Sequence, residues 1–102
     1  MKLKENQIVT EMEKQYVARV IRPDGTETEV KSAKAFTLTQ LQEFVGGYLE
    51  LVHLKPGNGR GVVYVNEEGK LHGLSRNDKA TALVVLRPDD HIVGNMVIVT
   101  RR

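Results

Sequence analysis

Few residues in this chain have the type and spacing that chemistry requires. The histidines are His53, His72 and His91. No two stand at the i, i+4 spacing that sets both imidazoles on one helix face, and there is no His-Glu-x-x-His. The chain has no cysteine, which excludes disulfides and thiolate metal sites. The serines are Ser32 and Ser75. Neither sits in the Gly-x-Ser-x-Gly turn that presents a nucleophile, and Ser75 reads better as a helix cap. Glu67 and Glu68 are adjacent, so a strand would send them to opposite faces, and a turn accounts for both. Lys55 to Gly61 is glycine-rich, and successive N–H groups there, with Lys55 and Arg60, could cradle an anion. It lacks the Gly-x-x-x-x-Gly-Lys-Ser/Thr spacing and runs into a strand rather than a helix N-terminus. A hairpin loop is the stronger reading. No catalytic set, metal site or cofactor is expected.

Binding chemistry has better material. Asn66 and Asn77 flank one hairpin, and an Asn side chain pairs a donor with an acceptor, as the edge of a nucleobase or ribose does. Their structural alternatives are an Asx-turn at Asn66 and a helix cap at Asn77. Arg76 stands beside Asn77, where a guanidinium could meet a phosphate through two hydrogen bonds. Tyr48 follows Gly46-Gly47 and could stack on a base, although a core role is the stronger expectation. Glu50, two residues on, shares the face of Tyr48 in a strand. Arg60 completes the candidate set.

These residues need elements to position them. Tyr16–Ile21 is β-branched and apolar, Pro23-Asp24-Gly25 is a turn, and Thr26–Val30 returns as a more polar strand. Thr37 and Gln40 form a capping-box pattern. Leu38, Leu41 and Val45 make an apolar helical stripe, with Phe36 placed to staple against Leu41. Gly46-Gly47 ends that helix. Tyr48–Leu54 and Val62–Val65 read as strands. Asn66–Gly69 turns into a further strand, Lys70–Leu74, with Gly69 in the left-handed region. Ser75 or Asn77 caps a second helix carrying Ala80, Leu83 and Val84. His91–Val93 and Met96–Val99 form the last strand, kinked at Gly94-Asn95. Residues 1–14 are polar, a frayed tail or an edge strand. The expected fold is α+β: a mostly antiparallel or mixed sheet of five or six strands with two short helices on one side.

Composition bounds the classes. At 102 residues and 40% hydrophobic, the chain holds one core and makes a single domain, 1–102. Its net charge of +2, from 15 basic and 13 acidic residues, is interspersed, and 5% are aromatic. Both facts argue against a dedicated nucleic-acid binder. No apolar run approaches the ~20 residues of a membrane span. The basic N-terminus lacks an apolar segment behind it, so a cytoplasmic protein is expected.

Several of these motifs fall together in one pattern. Val45-Gly46-Gly47-Tyr48-Leu49-Glu50, the run Asn66 to Leu74, Asn77 with Ala80 and Thr81, and Ile92 to Val99 resemble a family of small uncharacterised proteins. Its members occur in bacteriophages, mobile elements and their bacterial hosts, and it is catalogued as a domain of unknown function. Lys55 to Gly61 looks like a local insertion in that pattern. The resemblance implies a role against host defence or in host takeover, and it brings no activity. The leading expectation is a non-enzymatic phage protein that sequesters a nucleotide-derived host signal, in a pocket that small chains often build between subunits of a homo-oligomer. The alternative is an inhibitor of a host protein, docking through the exposed edge of the 15–30 hairpin.

Overall fold

Strong β-formers followed by Pro23-Asp24-Gly25 make the first hairpin. In the computed structural model, which describes residues 15–102, β1 (Tyr16–Ile21) pairs antiparallel with β2 (Glu27–Ser32). The Asp24 carboxylate accepts from the Thr26 N–H at 2.9 Å and the Thr26 hydroxyl at 2.6 Å. These two bonds hold its carboxyl below the usual range. Gly25 takes φ +86°, the left-handed corner such a turn requires. The tail or edge strand expected over 1–14 lies outside the described residues.

The capping box forms as expected. Thr37 Oγ1 accepts from the Gln40 N–H, and Gln40 Oε1 accepts from the Thr37 N–H, opening α1 (Leu38–Val45). Leu41 and Val45 are buried, but Leu38 is 62% exposed, so the buried stripe is one turn shorter than the periodicity suggests. Phe36 meets Phe44 edge to face, with centroids 5.7 Å apart.

After α1 come β3 (Leu49–Val52) and β4 (Val62–Asn66). The strand expected over Lys70–Leu74 does not form. Glu67 to Gly73 is a chain of turns: the Glu67 N–H still donates to Tyr48 O, and beyond it the backbone bonds are local, Gly69 N–H to Asn66 O, His72 N–H to Glu68 O, and Leu74 N–H to Gly69 O. Gly69 is not in the left-handed region; Gly73, at φ +67°, is. Gly69 is needed for space, because a Cβ there would stand 2.8 Å from Val93 Cγ2. Asn77, not Ser75, caps α2 (Asp78–Leu83). The last strand, β5, covers Met96–Arg101 only; Val93 instead bridges to Arg76.

The sheet is fully antiparallel, in the order β2-β1-β5-β4-β3. The α+β class and five strands match expectation, but the helices do not share a side. Ile21, Val63, Val65, Met96 and Ile98 pack with Ala80 and Val84 on one face. Ala18, Val20 and Val97 pack with Leu41 and Val45 on the other. Strand alternation sends neighbours to opposite faces, and β5 is apolar on both, so both need a cover. Each helix supplies one.

Candidate functional site

Asn66 ends β4 and is 7% exposed. Its Nδ2 donates to the last α1 carbonyl, Val45 O, at 3.3 Å. Its Oδ1 accepts from the Glu68 N–H at 2.8 Å, the expected Asx-turn. The two glycines before Tyr48 serve this contact. Gly46 caps α1 at φ +80°, and a Cβ on Gly47 would stand 2.7 Å from Asn66 Nδ2. Helix end, corner and strand end thus close on one amide.

That corner carries Tyr48 outward. Its side chain is 65% exposed, which overturns the core reading. The residue stands before β3, so the alternation with Glu50 never begins: the two line different hollows, and Asn66 borders both. Tyr48 lines an open hollow of about 210 Å³ with Gln42, Gly47, Glu68 and His72. His72 Nε2 lies 3.8 Å from a Glu68 carboxylate oxygen, four residues back.

Glu50 belongs to a cleft of about 190 Å³ on the α2 face of the sheet. Val52, Val65, Ile92 and Val93 give it an apolar floor, and Glu67, Lys70, Asp90 and His91 a polar rim. Lys70 reaches across the rim to Asp90. That ammonium, and then the His91 N–H, hold the Asp90 carboxyl below its usual range.

The remaining candidates go elsewhere. Asn77 is fully buried, and its amide is spent on backbone: Nδ2 on Ile21 O and Gly94 O, Oδ1 on the Ala80 N–H. It has no face for a ligand. Arg76 turns to solvent, 2.7 Å from Asp78. Arg60 lines a third hollow with Tyr16, Val62 and Arg101. Val62 and Asn66 end the same strand, which puts about 13 Å between Arg60's hollow and Asn66's corner. Of the six candidates, the fold therefore gathers Tyr48, Glu50 and Asn66.

Glu68, His72 and His91 enter the sequence reading only as candidates for catalysis or a metal, and Gln42, Lys70 and Asp90 do not enter it as site residues. The signal for Glu68 and His72 was present: glycines at 69 and 73 argue for turns, and a turn brings residues four apart together where a strand does not. Asp90 and His91 arrive by tertiary packing alone. Among the described residues, no three of His, Asp and Glu are grouped to hold a metal ion. No described helix is long and apolar enough to cross a membrane.

Residues 14–102 match the model of a family described as a domain of unknown function (DUF3846). No curated protein and no solved structure matches.

Proposed function

We propose that this chain, which belongs to the DUF3846 family, is a non-enzymatic binding protein for a small ligand with a planar, hydrogen-bonding group, such as a nucleoside. The observation that carries this reading is Tyr48. A large aromatic ring is held out in solvent by a corner that spends two glycines and a buried Asn on its geometry. An exposed ring on a rigid corner is a stacking platform, and every nucleobase offers it a π-face. The neighbouring Gln42 amide, Glu68 carboxylate and His72 imidazole supply donors and acceptors for a base edge. The rim of the Glu50 cleft is acidic, and its Lys70 already faces Asp90. Recognition is therefore through base and ribose, with any phosphate left toward solvent. In a phage or mobile element, as the resemblance implies, such capture would withdraw a nucleotide-derived host signal from solution.

Calorimetric titration with nucleosides, cyclic nucleotides and ADP-ribose derivatives tests the proposal. At least one should release heat. Stacking on an aromatic is worth roughly 1–3 kcal/mol per base, so Tyr48→Ala should weaken binding about tenfold or more, while Tyr48→Phe keeps most of it. Absence of heat with every compound, or a Tyr48→Ala variant that binds like the parent, would sink it.

A further inference from the structure

The two sheet edges are finished differently. On β3, the outward backbone groups beyond the strand are closed by the segment after α2: Val85 N–H donates to His53 O, and Lys55 N–H to Leu83 O. On β2, no backbone group among the described residues bonds the outer edge of its six residues. The Arg22 N–H to Thr26 O bond sets the parity of the hairpin. It turns Thr28, Val30 and Ser32 toward β1 and leaves Glu27, Glu29 and Lys31 presenting their N–H and C=O groups outward. An edge that the described residues leave open is a template for another strand.

We infer that β2 is a homodimer edge, pairing antiparallel with β2 of a second copy about Val30. A two-fold edge contact must align outward residues with outward residues, so its axis passes through a residue and not between two. Centred on Thr28, Glu27 faces the partner's Glu29. Centred on Glu29 or Lys31, that residue faces its own copy. Centred on Val30, Glu29 faces the partner's Lys31 and Lys31 faces the partner's Glu29, while Thr28 faces the partner's Ser32. Only this register opposes unlike charges at every charged position it pairs within β2. The side chains are available for it. Glu27 is already paired within its own molecule by Arg19 and Lys79, whereas Lys31 is exposed and Glu29 is exposed with Arg102 3.7 Å away. Four backbone hydrogen bonds close between the Glu29 and Lys31 positions of the two copies, joining two five-stranded sheets into one. A single-strand contact is small, so the dimer is weak and concentration-dependent.

Sedimentation of the 102-residue chain over a concentration series tests the inference, with Glu29→Lys and Lys31→Glu as variants and circular dichroism as the check on folding. The parent should dimerise. Each variant sets like charges together twice and should weaken the dimer about tenfold or more. Mixed in equal amounts, the two variants oppose carboxylates to ammonium groups again and should form a heterodimer comparable to the parent. The inference is overturned by a parent that stays monomeric up to about 1 mM, where even a weak contact is populated. Single variants that dimerise like the parent, or a mixture that stays monomeric, overturn it equally.

Discussion

Asn77 shows how one amide can serve three elements. It is fully buried, caps α2 through Oδ1, and uses Nδ2 to tie the end of β1 at Ile21 and the bend at Gly94. Removing one partner of a buried hydrogen bond exposes the other to the full cost of desolvation, about 1–3 kcal/mol per group and less than additive over several. Asn77→Ala should therefore lower stability by about 3 kcal/mol in urea unfolding. Asn77→Asp separates the roles. Its carboxylate still caps the Ala80 N–H, but it cannot donate to Ile21 O or Gly94 O and meets both as a repelling oxygen. It should destabilise at least as much as Ala. If Asp were tolerated, the capping bond alone would explain the residue.

The Gly46-Gly47 corner is where an element ending sets the exposed Tyr48 ring. Gly46 is required by conformation, at φ +80°, and Gly47 by space, because Asn66 Nδ2 occupies the position beside its missing Cβ. Gly47→Ala must push Asn66 off Val45 O, and overpacking of this kind costs about 1–3 kcal/mol. Gly47→Ala and Asn66→Ala act on one contact. Their combined cost in a double-mutant cycle should fall short of the sum of the singles. Additive costs would mean that glycine and amide serve separate ends. A corner loosened in this way should also weaken the nucleoside binding proposed at Tyr48, since the ring is aimed by the same turn.

At the scale of the whole molecule, β5 lies between β1 and β4 and feeds both cores, and the helices cover the faces separately. One surface cluster ties these layers together. Glu27 on β2 meets Arg19 on β1 and Lys79 on α2. The Arg19 guanidinium, followed by the Lys79 ammonium, pulls the Glu27 carboxyl down from 4.5 to about 2. A carboxylate favoured in the folded state adds stability that is complete above its unfolded pKa and vanishes as pH falls through the folded one. The contribution of Glu27 should thus be intact above about 4.5 and decline toward pH 2. Glu27→Gln should cost roughly 1 kcal/mol at neutral pH, as suits a solvent-screened cluster. The difference from the parent should shrink in acid. A pH-independent difference would assign the effect to packing.

Local physical chemistry was enough to read the first hairpin, the Thr37 capping box, the Gly46 helix stop, the Asx-turn at Asn66 and the pair of cap candidates for α2. In each, the deciding atoms lie within a few residues of one another. The sequence also predicted the α+β class, because periodicity two and periodicity 3.6 alternate along the chain. What it left open depends on partners distant in the chain. The two helices lie on opposite faces because the central strand is apolar on both sides, and no short window records which helix covers which. Lys70–Leu74 has the residues of a strand, yet no neighbouring edge accepts it, and its glycines close the backbone on itself. Tyr48 reads as a core aromatic until the fold sets Asn66 beneath Gly47 and leaves the ring exposed. Asn77 reads as a cap, and only the packed structure brings Ile21 O and Gly94 O within reach of its amide. The chemistry of single residues and near neighbours was therefore written in the chain. The company those residues keep was decided by the packing of a sheet with two covered faces.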